Sequence, residues 1–180
     1  MIYRKLTTVI IAFILLICLT GVSQAIDFIH PIEKDKCPVC GMFAYKYPKW
    51  IAEIIYKDST YAAFDGPKDM LKYYFNISKY NKHKTKEVIA AIYVTEYYTT
   101  KKMHAEDVYF ITGSDVYGPM GNELIPVKGK EEADTFMRDH KGTKMLRFSE
   151  ITPADLPGMM HGGGDKMHEG MQMMDKMKSH

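Results

Sequence analysis

The sequence predicts an α+β fold made of two small ββαβ-type units in tandem, followed by a disordered tail. Three observations support this prediction. Short apolar segments rich in Ile, Val, Tyr and Phe alternate with segments of helical periodicity. The same order of strands and helix occurs twice in outline, in halves of about 35–84 and 85–151, although identity between the halves is slight. After residue 156 the composition changes abruptly.

The N-terminal segment, residues 1–25, has the layout of a cleaved secretion signal. Basic residues at positions 4–5 precede an apolar run over 6–19, and small residues at 23–25 surround a cleavage point. The run is short for a membrane span, which needs about 20 residues. A lipid anchor on Cys18 ranks lower, because a bulky isoleucine precedes this cysteine. We therefore predict a periplasmic protein with a domain over residues 26–156.

Charge argues against a nucleic-acid partner. The chain has 24 Lys and Arg against 22 Asp and Glu, and removal of the signal takes away two basic residues and no acidic ones. The mature chain is therefore formally neutral, and its lysine-rich stretch 79–86 contains a single aromatic residue, which is typical of a solvated loop. About 155 mature residues suffice for one domain or two small halves.

In the first half, residues 50–56 and 61–64 are predicted to form a hairpin. A helix then begins at Pro67, because proline is favoured in the first turn, where its missing N–H leaves no bond unmade. Residues 76–85 are predicted to form a polar connection. The apolar positions at helical spacing are Met70, Leu71, Tyr74 and Phe75.

The second half repeats this order. A turn-rich loop is predicted over residues 113–121, and a helix over 130–140 that ends at Gly142. The predicted strands of this half are residues 88–95, 107–112, 124–127 and 144–151.

The segment Cys37-Pro38-Val39-Cys40-Gly41-Met42 places two thiols and a thioether within six residues. Soft sulfur donors of this kind select soft ions such as Cu(I). Three other interpretations remain open. A redox pair would need the first cysteine at a helix N-terminus, a zinc knuckle would need two further ligands, and a structural disulfide is possible in an oxidising compartment.

Met42 favours the metal interpretation. If residues 40–42 are extended, Cys40 and Met42 point to the same side of the chain, and both sulfurs can reach one ion. The alternative is that Met42 fills a gap in the core. Spacing alone does not distinguish a ligand role of Met42 from a packing role.

Five segments of the chain carry a family resemblance. They are Cys40-Gly41-Met42, Tyr47-Pro48-Lys49-Trp50-Ile51-Ala52, Phe64-Asp65-Gly66-Pro67-Lys68-Asp69-Met70, Val108-Tyr109-Phe110 and Gly118-Pro119-Met120-Gly121-Asn122-Glu123-Leu124-Ile125-Pro126. Together they resemble the NosL family, exported copper chaperones associated with nitrous oxide reductase. The resemblance covers residues 35–151 and is fairly specific because its segments occur in the right order.

The resemblance implies a fold similar to organomercurial lyase and to treble-clef-like metal domains, with one Cu(I) held between the halves. The thiolate ligand falls on Cys40 and the thioether ligands on Met42 and Met120. Two features depart from the family pattern. Family members are typically lipoproteins, which the context of Cys18 does not support, and Cys37 adds a fourth sulfur or a disulfide partner for Cys40.

The tail, residues 157–180, contains seven methionines and three histidines but no Val, Ile, Leu or aromatic residue. Such a composition cannot build an aliphatic core and suits weak, exchangeable copper binding. An amphipathic helix that docks on a partner is the alternative, since Met167, Met171 and Met174 share helical spacing. The predicted weak copper ligands are Met159, Met160, His161, Met167, His168, Met171, Met173, Met174 and Met177.

These observations predict a protein that is not an enzyme, because phosphate loops, nucleophile elbows and paired metal-binding histidines on a helix are absent from the sequence. The first hypothesis is a Cu(I) metallochaperone whose partners are copper-enzyme assembly machinery and nitrous oxide reductase. The others are a thiol-disulfide oxidoreductase using Cys37 and Cys40, and a periplasmic copper reservoir. Among the remaining histidines, only the Met103-His104 pair merits a test as a ligand.

Overall fold

A four-stranded antiparallel sheet forms the first half of the fold, in the order β2-β1-β3-β4. The computed structural model describes residues 27–158. The predicted signal segment and the tail from residue 159 onward lie outside the described residues. The strands are β1 (Ala52–Tyr56), β2 (Tyr61–Phe64), β3 (Ile89–Thr95) and β4 (Lys102–His104).

The hairpin of β1 and β2 confirms the prediction from apolar periodicity. Ala52 lies opposite Phe64, and Ile55 lies opposite Tyr61. In the turn between the strands, the backbone N–H and the hydroxyl of Thr60 both donate to the Asp58 carboxylate. Every residue of β1 is buried, as expected for a strand with neighbours on both sides and packing on both faces.

Two short helices follow, α1 (Pro67–Phe75) and α2 (Ile77–Tyr80). Pro67 occupies the first turn of α1, as predicted. The inward face differs slightly from the predicted one, because Tyr73 is buried and donates or accepts a 2.8 Å hydrogen bond with the Tyr56 hydroxyl, whereas Tyr74 is only half-buried. Helix α2 lies inside the predicted polar connection, where it buries Ile77.

The second half is a three-stranded antiparallel sheet in the order β8-β5-β9, with a two-stranded ribbon inserted before β8. The last strand is shorter than predicted, because the Arg147 N–H donates to the Glu150 carboxylate and starts a 3-10 turn. The elements are β5 (Val108–Thr112), β6 (Tyr117–Gly118), β7 (Gly121–Asn122), β8 (Ile125–Lys128), α3 (Lys130–Asp139) and β9 (Lys144–Arg147).

The two units have the same topology. In each, the first strand is central and pairs antiparallel with the next long strand on one side and with the strand after the helix on the other. Thus β1, β2, α1 and β3 correspond to β5, β8, α3 and β9, which confirms the tandem ββαβ fold. The predicted division near residue 85 needs correction, since β3 pairs with β1 and the change of sheet falls between β4 and β5.

The main hydrophobic core is shared by both units. Ile54 and Met70 from the first unit belong to one buried cluster with Phe110 and Leu124 from the second. A smaller cluster beneath α3 is centred on Phe136. Because side chains of both sheets fill one interior, each unit depends on the other for part of its packing. Within residues 27–158, no helix has the length and apolar character needed to cross a membrane.

Glu53, the second residue of β1, carries a buried carboxyl. Its Oε2 accepts a 2.9 Å hydrogen bond from the Ile29 N–H, and its Oε1 has no partner among the described residues. Burial raises the pKa of Glu53 to about 7, although the Ile29 N–H and the charge of Lys102 act in the opposite direction. The folded protein therefore favours the protonated form of this side chain.

Replacement of Glu53 by glutamine is expected to remove a pH-dependent loss of stability. Because the pKa rises from 4.5 to about 7 on folding, the protonated carboxyl stabilises the fold at pH values below 4.5, and this contribution disappears as the pH rises through 7. The free energy of unfolding should fall by about 3 kcal/mol as this contribution disappears. Urea unfolding between pH 4.5 and 8 should show wild type losing stability relative to Glu53→Gln, whereas the exposed-site control Glu106→Gln should follow wild type. Parallel profiles for Glu53→Gln and wild type would contradict this expectation.

Candidate metal centre

The cysteine segment forms a tight loop that we call the knuckle, residues 37–42. The Cys37 N–H donates to the Met42 carbonyl at 2.7 Å, and the Gly41 N–H donates to the Cys37 carbonyl at 2.8 Å. Gly41 has a φ of +79°, in the left-handed region that favours glycine. The predicted extended geometry of residues 40–42 is therefore wrong, and the argument that Cys40 and Met42 share a side by strand alternation does not apply. Met42 itself is half-buried.

Both cysteines of the knuckle are free thiols. Cys37 is buried and Cys40 is half-buried. The Cys37 Sγ lies 3.7 Å from Asp69 Oδ2, and the Cys40 Sγ lies 3.1 Å from Asp65 Oδ1. Burial and the neighbouring Asp65 raise the pKa of the Cys40 thiol to about 12, and they raise the pKa of Cys37 further still. Without a bound cation, both thiols are therefore protonated at neutral pH.

The two aspartates come from the start of α1. Asp65 precedes the N-cap residue Gly66, whose backbone is extended, and Asp69 lies in the first turn of the helix. Both are buried, and the Lys72 ammonium contacts Asp69 Oδ1 at 3.2 Å. One ligand atom from each of Cys37, Cys40, Asp65 and Asp69 lies within 4.8 Å of all the others. The sequence prediction missed both carboxylates as candidate ligands, although both lie in the segment 64–70 that carries part of the family resemblance.

Met120 lies at the tip of the ribbon formed by β6 and β7. Gly118 pairs with Gly121, so Pro119 and Met120 form the connecting turn. Met120 is 45% exposed, which separates it from the buried core methionine Met70. The Lys68 ammonium donates to the Met120 carbonyl at 2.6 Å and to the Asn122 carbonyl at 2.7 Å. Lys68 belongs to the first turn of α1, so the ribbon is attached to the same helix start that supplies the two aspartates.

Glu123 is the second residue of this attachment. We call the pair of Lys68 and Glu123 the clasp. The Glu123 Oε1 accepts hydrogen bonds from the backbone N–H of Lys68 and from that of Leu124, the latter at 3.0 Å. A Cβ on Gly66 would lie 2.4 Å from Glu123 Oε2, so glycine permits this close approach. Burial raises the pKa of Glu123 to about 8, and the two N–H donors and the charge of Lys68 oppose the rise.

A family model called NosL matches residues 29–156, most of the chain. The chain belongs to the NosL family. The resemblance inferred from the sequence is thereby confirmed.

A solved NosL structure shows the same fold. The chain is 22% identical to the copper chaperone NosL from Shewanella denitrificans, whose crystal structure matches with a TM-score of 0.60 over 74% of this chain and 99% of that chain. It is 21% identical to apo-NosL from Achromobacter cycloclastes, whose solution NMR structure matches with a TM-score of 0.44 over 63% of this chain and 94% of that chain. Among curated protein sequences, none is significantly similar.

Within this NosL fold, the predicted ligands fall into three groups. Cys37 and Cys40 meet each other and two carboxylates, and Met42 shares their loop. Met120 belongs to the second unit, and its backbone carbonyl is bonded to Lys68 of the clasp. The predicted tail ligands, from Met159 to Met177, lie outside the described residues.

In the Met103-His104 pair, the histidine packs against a neighbouring tyrosine. His104 stacks against Tyr93 with ring centroids 4.3 Å apart, and its Nε2 lies 3.1 Å from the Tyr93 hydroxyl. Both residues of the pair are half-buried on β4. This packing accounts for His104 without a metal.

Proposed function

We propose that this NosL protein is a Cu(I)-binding metallochaperone rather than an enzyme. Its copper ligands are Cys40, Met42 and Met120, with Cys37 as a further sulfur near the first. The observation that carries the proposal is the clasp, which attaches the Met120 turn of one unit to the helix whose start contacts the Cys40 thiol of the other. One thiolate and two thioethers form a donor set that suits Cu(I). The similar fold of a protein described as a copper chaperone supports the same function.

The site is arranged for loading and release. Copper binding replaces the proton of the Cys40 thiol, and the Asp65 carboxylate, 3.1 Å from that sulfur, is placed to accept it. The half-buried Cys40 and the exposed Met120 leave the ion open to an incoming soft ligand. Ligand exchange can then proceed before the original donors have all left. A site with these properties holds an ion for transfer rather than for chemistry.

The compartment of the protein and the recipient of its copper are proposed from the sequence. We propose that the chain is exported through a signal over residues 1–25 and acts in the periplasm. Its cargo would serve the maturation of a multicopper enzyme, nitrous oxide reductase, through the assembly machinery of that enzyme. The tail methionines and histidines would supply weak, exchangeable copper sites.

A thiol oxidoreductase is disfavoured by the thiol pKa values. Redox-active Cys-x-x-Cys pairs carry a cysteine with a lowered pKa, whereas burial raises the pKa of both thiols here. Neither cysteine begins a helix, since α1 starts 27 residues after Cys40. The arrangement therefore suits metal binding better than disulfide exchange.

Truncation after residue 158 tests the chaperone against the reservoir hypothesis. We expect full-length and truncated proteins to bind one tight Cu(I) each in an anaerobic titration against a chromophoric Cu(I) chelator. Full-length protein should take up additional, weakly held copper. In both forms Met120→Leu should lower the affinity of the tight site, whereas the matched control Met103→Leu should not. Loss of nearly all binding on truncation would establish the reservoir function and refute the proposal.

A further inference from the structure

The segment that leads into the tail is held in a fixed place by the domain. Leu156 is 1% exposed and belongs to the main hydrophobic core. Its backbone N–H donates to the Pro153 carbonyl at 3.3 Å. The Asp155 carboxylate accepts a 2.8 Å hydrogen bond from the Thr152 N–H and forms an ion pair with Lys144. The fold therefore determines where the tail begins.

This starting point lies beside the ribbon that carries Met120. Tyr117 and Asn122 pair with each other at the base of the ribbon. Both line a hollow of about 470 Å³, which Leu156 and Gly158 also line. Tyr117 is 66% exposed, the highest value among the large hydrophobic residues that the structure describes. The tail thus leaves the domain next to an exposed aromatic ring at the base of the ribbon.

The first residues of the tail can reach the tip of the ribbon. Three positions separate Tyr117 from Met120, so their Cα atoms lie at most about 11 Å apart. The tail begins with Met159-Met160-His161, and three extended residues span about 10 Å. Two thioethers and an imidazole therefore fall within reach of Met120 without any movement of the domain.

The chemistry of the tail start suits both the ring and the ion. A methionine sulfur makes favourable contacts with aromatic rings, so Tyr117 offers a surface on which a tail methionine can pack. Thioethers and imidazoles are also ligands that Cu(I) accepts. A donor attached through a few residues acts at an effective concentration of about 1 mM. Such a donor competes well with ligands that arrive from solution.

We propose that residues 159–161, which we call the entry segment, dock on Tyr117 and pass Cu(I) to Met120. This inference rests on the proposed copper function and deepens it, because the first ligand that an incoming ion meets belongs to the same chain. Each step is a ligand exchange in which a new donor binds before an old one leaves, and copper stays Cu(I) throughout. The tail donors from residue 167 onward then act as storage.

Docking is tested in the metal-free protein by NMR of methionines labelled with ¹³C in the methyl group. An aromatic ring shifts the signals of methyl groups packed on it. Tyr117→Ala should therefore move the methyl signal of Met159 or Met160 in the full-length protein. Tyr98→Ala, which alters another exposed tyrosine, is the matched control and should leave both signals unchanged. Single Met→Leu variants assign the signals.

Transfer is tested by the rate at which reduced, metal-free protein takes Cu(I) from a chromophoric chelator in anaerobic stopped-flow experiments. Replacing Met159 and Met160 together by leucine should slow loading by at least about 10-fold, since linkage of two binding groups can gain about 10²- to 10⁴-fold. The affinity of the tight site should stay the same. The control is the other adjacent pair, Met173 and Met174, whose replacement by leucine should leave the rate unchanged.

The two experiments separate failure of this inference from failure of the copper function. Equal loading rates for the two double variants, or unmoved methyl signals in Tyr117→Ala, would overturn the inference while the tight site stands. Absence of a tight Cu(I) site in wild type would refute the copper function and the transfer step together, even if the methyl signals show that the tail docks.

Discussion

Replacement of Cys40 by alanine is expected to abolish tight Cu(I) binding and to leave the fold intact. Cys40 supplies the anionic donor of the proposed copper set, and the remaining donors, Met42 and Met120, are neutral thioethers. The loss of affinity should exceed the 10- to 100-fold cost of removing an outer-shell partner. Because Cys40 is half-buried, truncation of its side chain leaves a smaller defect than a core substitution would. An anaerobic competition titration against a Cu(I) chelator measures the effect.

Cys37→Ser is the matched control for this variant. It removes the other thiol of the knuckle and should keep Cu(I) affinity close to that of wild type, since Met42 and Met120 remain with Cys40. Tight binding by Cys40→Ala, or equal losses in the two variants, would show that the copper ligands have been assigned wrongly.

Replacement of Glu123 by alanine is expected to cost at least about 3 kcal/mol of unfolding free energy. Its Oε1 accepts two buried backbone N–H groups, from Lys68 and Leu124, and both would lose their acceptor. Each orphaned donor costs about 1–3 kcal/mol, and the vacated space adds a cavity term. Urea unfolding measures the loss. The Cu(I) affinity of the folded fraction should fall as well, because the Met120 turn loses part of its attachment.

Glu123→Gln provides the comparison. Its side-chain oxygen can keep both backbone hydrogen bonds, so most of the stability and of the Cu(I) affinity should remain. A loss below about 1 kcal/mol in Glu123→Ala would mean that the two N–H groups find other acceptors, and that the clasp does not hold the ribbon.

Local patterns in the sequence were enough to predict much of the fold. The hairpin over 50–56 and 61–64 and the helix that begins at Pro67 follow from residues close together in the chain. The sheet to which β3 belongs depends on its pairing with β1, more than 30 residues away, which periodicity does not report. The strand β4 is only three residues long and carries no apolar alternation, so its pairing with β3 decides its structure.

The candidate site, like the fold, could be predicted only in part from the sequence. Cys40 and Met120 were predicted as ligands from their segments and from the family resemblance, and the structure places the Cys40 thiol against Asp65 and the Met120 carbonyl against Lys68, both at the start of α1. The sequence analysis named Asp65 and Asp69 only as members of a family-like segment, because their contacts with the thiols depend on where the knuckle packs. The left-handed backbone at Gly41 likewise overrode the expected extended segment. For the two aspartates the missing information was a contact between distant segments, whereas for Gly41 it was a local backbone conformation.

The clasp joins groups 52 to 55 positions apart in the chain, so it exists only after both units have folded and docked. A molecule in which the second unit has not docked lacks this attachment, so its Met120 turn is not tied to the start of α1. On the proposed ligand set, we expect full Cu(I) affinity only from molecules in which both units have folded. An ion bound only by the native state also stabilises that state, so bound copper should favour the docked form.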